Sequence, residues 1–146
     1  MRTNSRTTTS ENVGFLLAKA SQRFNELLAE RFAARGFADV RPSYGSVLVP
    51  LFEQDGRRLG DIAQAGRLSK QAITGLVNQC EQAGLIARAR DPDDGRAFRI
   101  LLTERGRALR EVAEQELAEL DAQIVDAFGS RNRDALLKAL KGVMEL

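Results

Sequence analysis

The sequence predicts a mainly helical fold that carries one small β-hairpin. Two patterns in its 146 residues indicate this. Apolar residues recur at steps of three and four along most of the chain, which is the spacing of helices with one buried face. The exception is RDPDDGRAFRI at positions 90–100, where turn-forming aspartate, proline and glycine precede a short alternating segment. The two patterns together predict a helical chain that one charged hairpin interrupts.

The N-terminal part of the chain predicts two helices. Residues 11–35 carry one apolar stripe and predict a long helix. Residues 41–56 predict a second helix, in which Pro42 suits the first turn. Pro50 lies inside this helix, where it removes a backbone donor, so we expect a kink there.

The middle of the chain predicts two further helices and the hairpin. Residues 57–66 predict a short helix, and Ser69 is a suitable N-cap for the next one. That next helix has an apolar face, made of Ile73, Leu76, Val77 and Cys80. Its opposite face is small or polar, with Lys70, Gln71, Thr74, Gly75, Asn78 and Gln82. Two extended segments follow, at 86–90 and 97–102, and the PDDG between them supplies the turn.

The C-terminal part predicts one long and one shorter helix. Thr103 can cap a helix over 104–128, which would be about 37 Å long. Its apolar seam consists of Leu109, Ala113, Leu117, Leu120, Ile124 and Phe128. Because a core of this size cannot cover such a helix, we expect the seam to pack against a second chain. Ser130 can cap a last helix, whose apolar face is Leu136, Leu140 and Val143.

Composition excludes several classes of function. The chain has no histidine and a single cysteine, so it lacks the usual general base and the ligands of a Cys/His zinc site. No glycine-rich phosphate loop occurs and no catalytic constellation is visible, so we expect neither an enzyme nor a cofactor or metal. The sequence has no membrane-spanning run, and its polar start lacks the apolar region of a secretory signal. We therefore expect a cytoplasmic protein with a frayed tail over 1–10 and no membrane partner.

Charge is distributed unevenly along the chain. Residues 57–99 hold eight Lys/Arg against five Asp/Glu, whereas residues 100–128 hold three against seven. A basic middle segment points weakly to a polyanionic partner, although ordinary solvated faces would explain the same counts.

The order of elements in the middle segment is that of a winged helix-turn-helix, which binds DNA. Its second helix needs one apolar face for anchorage and an opposite face that offers hydrogen bonds to base edges and phosphates. Residues 69–82 meet both demands, and Gly75 would permit close approach. Arg96 lies at the hairpin tip, where it can enter a minor groove, and Asp94 is placed to hold its guanidinium. Arg88 and Arg90 fit a phosphate contact or an ordinary surface position equally well.

Residues 68–106, LSKQAITGLVNQCEQAGLIARARDPDDGRAFRILLTERG, resemble the MarR family of bacterial transcription regulators. The serine-capped helix ends in the family phrase E-x-x-G-L-[IV]-x-R at 81–88. A D-x-x-D-x-R wing follows at 91–96, and an L-T-x-x-G helix start at 102–106. The order of the flanking helices extends the likeness to roughly 11–146.

The resemblance implies a homodimer whose terminal helices intertwine, with two recognition helices in successive major grooves of a pseudo-palindromic operator, about 34 Å apart. It divides the chain into a tail (1–10), an N-terminal dimerisation helix (11–40), a DNA-binding part (41–102) and C-terminal dimerisation helices (103–146). It also implies repression that a small aromatic or phenolic effector relieves. The aromatic candidates for an effector pocket are Tyr44, Phe15, Phe24 and Phe52, although aromatic residues at helical spacing are more often core.

Two alternatives stay open at this point. Gly75 and Gln79 occupy positions at which many members of the family carry basic residues, so a winged-helix module that binds protein rather than DNA is a second hypothesis. Cys80 fits either a redox switch or a small core residue, and its place on the apolar face beside Val77 favours the core.

Overall fold

The computed structural model of the protein describes residues 8–146. The α-helices in this range are α1 Val13–Ala34, α2 Gly45–Glu53, α3 Leu59–Ala65, α4 Lys70–Gln82, α5 Glu104–Phe128 and α6 Ser130–Met144. The strands are β1 Arg57–Arg58, β2 Ile86–Arg90 and β3 Phe98–Leu102, and single 3-10 turns occur at Thr9–Glu11 and Pro42–Tyr44. Most of the predicted tail, residues 1–7, lies outside the described residues. None of the helices within 8–146 has the length and apolar character needed to cross a bilayer.

The helix boundaries follow local chemistry. Asn12 caps α1 by accepting a hydrogen bond from the Gly14 amide (2.9 Å), and Gly36 ends it with a φ of +89°. Helix α2 continues through Pro50 as far as Glu53. Because Pro50 has no N–H, it cannot bond the Ser46 carbonyl, and the backbone at Gly66 packs closely against that carbonyl instead.

The sheet has three strands rather than the predicted two. Strand β1 pairs antiparallel with β3, and the strand order is β1-β3-β2. The prediction of a helix from residue 57 was wrong by two residues, because Arg57 and Arg58 form β1 and α3 begins at Leu59. Two residues cannot show an alternating pattern, so the sequence carried no signal for this strand.

The core gathers the apolar faces of α2, α3, α4 and α5 with the inward residues of the hairpin. The side chains of Leu51, Ile62, Ile73 and Leu85 have almost no exposed surface. Cys80 lies in the same cluster, which confirms its predicted core position.

Burial raises the pKa of the Cys80 thiol to about 12, so the nucleophilic thiolate is scarce at physiological pH. We expect the native protein to resist a thiol-modifying reagent at mildly alkaline pH and to react once it is unfolded in guanidinium. Mass spectrometry of both samples measures this. Rapid labelling of the native protein would contradict the core assignment and support the alternative that Cys80 is a redox switch.

The start of α5 is locked to the end of α4. Thr103 caps α5 by accepting from the Gly106 amide (3.1 Å), while its hydroxyl donates to the Gly84 carbonyl (2.6 Å). Gly106 lies so close to the Leu85 carbonyl oxygen that a side-chain carbon would overlap it. The L-T-x-x-G phrase at 102–106 therefore encodes both a helix cap and a close backbone contact.

The seam of α5 is only partly covered within one chain. Leu109, Ala113 and Leu120 are buried within their own chain and are not left open for the expected second chain, whereas Leu117 and Phe128 are exposed and Ile124 is half-buried. Helix α6 has no buried residue, and Leu136 and Leu140 are exposed. The N-cap of α6 is Gly129, with a φ of +86°, and Ser130 is the first helical residue rather than the predicted cap.

An ion cluster joins α1 to α5. The buried carboxylate of Glu116 accepts from Arg31 and Arg35, both at 3.0 Å. These two guanidinium groups hold the pKa of Glu116 below its ordinary value, with Arg31 contributing most. The cluster fixes the orientation of the two long helices that flank the middle segment.

Candidate nucleic-acid interface

Helix α4 is anchored on one face and uncovered on the other. Ile73 and Val77 are fully buried, and the Ser69 side chain accepts from the Ala72 amide (3.1 Å), which fixes the first turn. The predicted contact residues lie on the opposite face. Lys70, Gln71, Gly75 and Asn78 are exposed there, and Thr74 is half-buried. A rigid helix with an open polar face is what direct reading of base edges requires.

Two residues on this face, Thr74 and Gly75, are each suited to one kind of contact with a partner. The Thr74 hydroxyl donates to the Lys70 carbonyl (2.7 Å), so toward an outside partner it offers its oxygen as an acceptor. A Cβ atom at Gly75 would meet no heavy atom within 4 Å, so a partner's backbone can approach α4 closely at this point.

Arg88 joins β2 to α4. Its Nη2 donates to the Asn78 Oδ1 (2.5 Å), and its Nε lies 3.4 Å from the Glu81 carboxylate. Arg88 uses one of the two lone pairs of the Asn78 oxygen, so this residue can offer a partner its amide NH₂ and one remaining acceptor site.

The hairpin tip is built differently from the sequence prediction. Asp94 was expected to hold the Arg96 guanidinium, but its Oδ1 accepts from the Arg96 backbone amide (3.1 Å), and its carbonyl accepts from Ala97 (3.0 Å). That expectation was wrong because a short aspartate side chain at a turn bonds the backbone two residues on. Within residues 8–146, the Arg96 guanidinium has no carboxylate partner.

Asp91 is the structural residue of the wing that the sequence reasoning missed. Its carboxylate is buried, accepts from the Asp93 amide (2.9 Å) and from Arg58 Nε (2.8 Å), and lies 3.3 Å from Arg99 Nε. The Asp93 amide and the two guanidinium groups hold the pKa of Asp91 below its ordinary value. Pairing with Arg58 could not be anticipated, because β1 itself was not predicted.

Arg105 is a second residue whose structural role no sequence pattern predicted. It forms a bidentate pair with Asp39, at 3.0 and 2.6 Å, and donates to the Ala83 carbonyl (2.5 Å). Its guanidinium also lies 5.2 Å from the Phe37 ring centre. Arg105 thus ties the start of α5 to the end of α4 and to the α1–α2 connection, and it lowers the pKa of Asp39.

The structure does not bring the four aromatic candidates together in one cleft. Tyr44 is buried in the core, Phe52 packs against the core, and Phe15 is exposed on α1. Phe24 lines a cleft of about 400 Å³ between α1 and the α5–α6 pair. The other lining residues of this cleft are Leu117, Ala118, Asp121, Ile124 and Arg133. Residues 8–146 contain no cluster of three metal-ligating side chains.

Comparison with known proteins identifies the family. A model of the MarR family matches residues 38–97. The HTH-type transcriptional repressor Rv2887 of Mycobacterium tuberculosis is 31% identical over 101 residues, which span 60% of this chain and 73% of that protein. The chain belongs to the MarR family. This MarR-family protein is thus a DNA-binding transcriptional regulator and not an enzyme, which removes the support for a protein-binding module.

Solved structures agree with this assignment. A probable transcriptional regulator from Pseudomonas aeruginosa superposes with a TM-score of 0.80 at 26% identity, over 93% of this chain and 99% of that one. The transcriptional repressor CouR, bound to a 23-mer DNA duplex, superposes with a TM-score of 0.78 at 29% identity, over 92% and 94% of the two chains. The winged helix-turn-helix fold predicted from the sequence is confirmed.

Proposed function

We propose that this MarR-family regulator is a homodimeric repressor that binds a pseudo-palindromic operator and releases it when a small aromatic effector binds. In this proposal residues 41–102 contact DNA, and the segments 11–40 and 103–146 form the dimer. Lys70, Gln71, Thr74 and Asn78 read or position the major groove, and Arg96 enters the minor groove.

One observation carries the DNA-binding part of the proposal. The polar face of α4 is uncovered while its apolar face is fully packed, and the Arg96 guanidinium at the wing tip lacks a carboxylate partner within the described residues. An unpaired guanidinium at the tip of a wing is suited to a narrow groove of negative potential. The repressor CouR, whose structure contains a DNA duplex, shares this fold.

The dimer is supported by apolar surface at both ends of the chain. Val13 and Leu16 near the start of α1 are at least half exposed, and so are Phe128 and Met144 near the end. A helix such as α6, with an apolar face and no buried residue, needs a partner to cover it. Two copies joined there would carry two recognition helices, which suits two operator half-sites.

The proposed repression is supported by the names of relatives, and the proposed effector release is supported by one cleft. Rv2887 is named as a repressor, and so is YetL of Bacillus subtilis, which is 25% identical over 86% of this chain. The cleft beside Phe24 has apolar walls from Leu117 and Ile124, and Arg133 at its margin is paired with Asp121 (2.8 Å). Apolar walls with a few polar groups are typical of sites for small aromatic molecules.

The proposal is tested by selecting bound fragments from a random DNA pool and titrating the selected fragment by gel shift. A selected sequence with inverted half-sites, bound by two copies of the chain, supports it. The affinity should fall with salt, because phosphate contacts release counterions. Selection that yields no enriched sequence would reject the operator. A screen of phenolic acids against the bound complex tests the effector separately.

Replacing Arg96 with alanine is expected to weaken binding to the selected operator by about 1–3 kcal/mol and to leave the dimer intact. The Arg96 guanidinium has no ion-pair partner within residues 8–146, so the substitution breaks no ion pair inside the chain. The loss of affinity would therefore come from a lost contact with DNA. Gel-shift titration measures the affinity, and light scattering measures the dimer. Arg110→Ala is the matched control, since Arg110 is an exposed arginine on α5 paired with Glu114. Equal affinities for the two variants would remove Arg96 from the interface.

A further inference from the structure

We propose that Phe98 contacts DNA directly, with its ring packed against the deoxyribose of the groove that the wing enters. The inference rests on the proposed function, because it requires that the wing meets DNA. It adds an apolar contact to an interface that otherwise consists of charged and polar side chains.

Phe98 is exposed although its neighbours on the same face are buried. In β3, Ile100 and Leu102 are 1% and 5% exposed, whereas Phe98 is 49% exposed. Side chains two residues apart in a strand lie on the same face of the sheet. Phe98 therefore continues the apolar row of β3 past the edge of the core, toward the wing tip.

The strand register shows which way this row faces. Arg88 pairs with Ile100, and Arg90 pairs with Phe98, so all four side chains lie on one face of the hairpin. Arg88 contacts Asn78 and Glu81 of α4, which means that this face is turned toward the recognition helix. Phe98 and Arg90 thus lie on the α4 side of the wing, beyond the last contact between the wing and α4.

The charges around Phe98 identify the class of partner. Arg99, the next residue, lies on the opposite face, where it pairs with the buried Asp91 and lies 3.8 Å from Asp93. Arg90 on the α4 side has no carboxylate partner within residues 8–146, and neither has Arg96 in the turn at the wing tip. On the α4 side of the wing, Phe98 is therefore the cross-strand neighbour of Arg90, a cation that no carboxylate neutralises within residues 8–146.

An exposed phenyl ring beside the unpaired Arg90, with the unpaired Arg96 in the adjoining turn, fits a polyanion with apolar surface between its charges. DNA has this character, since phosphates can bind Arg90 and Arg96 while the sugar between them contacts the ring. Apolar side chains do enter the minor groove in other DNA-binding proteins, where they are inserted between base steps. An apolar protein partner would instead leave two guanidinium groups desolvated without counter-charges.

Salt dependence separates this contact from those of the arginines. Phe98→Ala is expected to weaken operator binding about tenfold, because the apolar surface of the ring is no longer buried against the sugar. Since a phenyl ring displaces no counterions, the slope of log affinity against log salt should match that of the wild type. Arg96→Ala should make this slope shallower.

Leu101→Ala is the matched control. Leu101 is a large apolar residue in the same strand, 37% exposed, and strand parity places it on the opposite face from Phe98. Thermal melting should show that both variants fold, because neither side chain is buried. Affinity close to wild type for Leu101→Ala, with a tenfold loss for Phe98→Ala at an unchanged slope, supports the proposal.

Three other outcomes would overturn it. Equal affinities for the two variants would mean that Phe98 does not contact DNA. A shallower slope for Phe98→Ala would mean that the ring acts only by positioning an arginine. Failure of the wild-type protein to bind any selected DNA would reject the proposed function itself, which distinguishes that failure from a failure of the Phe98 contact.

Discussion

The double variant Leu136→Glu, Leu140→Glu is expected to be a folded monomer that binds its operator at least a hundredfold more weakly than the wild type. Both leucines lie on the uncovered face of α6 and are 48% and 38% exposed within one chain. Charges placed there leave the core of the chain intact but oppose burial against a second copy. Without the dimer, the two half-sites are no longer bound together, and the gain from linked binding is lost, typically a factor of about 10²–10⁴.

Light scattering measures the mass of this variant, circular dichroism its helical content, and gel shift its affinity. Lys138→Glu is the matched control, because it changes the net charge by the same amount on the opposite side of α6. A double variant that stays dimeric would contradict the dimer surface, and a Lys138→Glu monomer would show that charge alone separates the subunits. Leu120 is a poorer site for this test, since it is 3% exposed and its replacement would unfold the single chain.

Gly106→Ala is expected to lower the free energy of unfolding by about 1–3 kcal/mol, the usual cost of forcing an extra carbon into a packed site. The added carbon would overlap the Leu85 carbonyl oxygen and press on the Leu102 side chain. The Leu85 oxygen also accepts from the Thr103 amide (3.0 Å), so it cannot move without disturbing the start of α5. Urea denaturation monitored by circular dichroism measures the change.

The control for this prediction is the same substitution at an open helical site. Gly75 lies inside α4, and a Cβ atom there would meet nothing within 4 Å. Gly75→Ala should therefore stabilise the fold, by about 0.5–1 kcal/mol, through the helix propensity of alanine. A Gly106→Ala variant that is likewise stabilised would show that the Leu85 carbonyl can yield, and would leave the glycine of L-T-x-x-G without a steric explanation.

The wing shows where sequence reasoning reached its limit. The two hairpin strands, the turn and the exposed position of Arg96 followed from residue type and spacing, because turn chemistry and strand alternation are local. The partners of the aspartates did not follow. Asp94 bonds the backbone of its own turn, and Asp91 binds Arg58, which lies 33 residues earlier in a strand too short to be predicted.

The long helices likewise show which features the sequence predicted and which it could not. The caps at Ser69 and Thr103 were predicted correctly, since a hydroxyl one residue before a helix bonds the first turn. The seam of α5 was predicted by periodicity alone, and that method cannot say which part of a seam its own chain covers. Leu109 and Leu120 are covered, whereas Leu117 and Phe128 are not.

The sequence by itself determined the order of helices, the hairpin, the family likeness and the polar face of α4, because each depends on residues close together in the chain. Only the tertiary structure decided which arginines are engaged. It pairs Arg58 and Arg99 with Asp91, leaves Arg90 and Arg96 without carboxylate partners within residues 8–146, and places Phe98 on the same hairpin face as Arg88. These outcomes depend on strand register and on contacts between distant segments. Charge counts along the chain give no information about either.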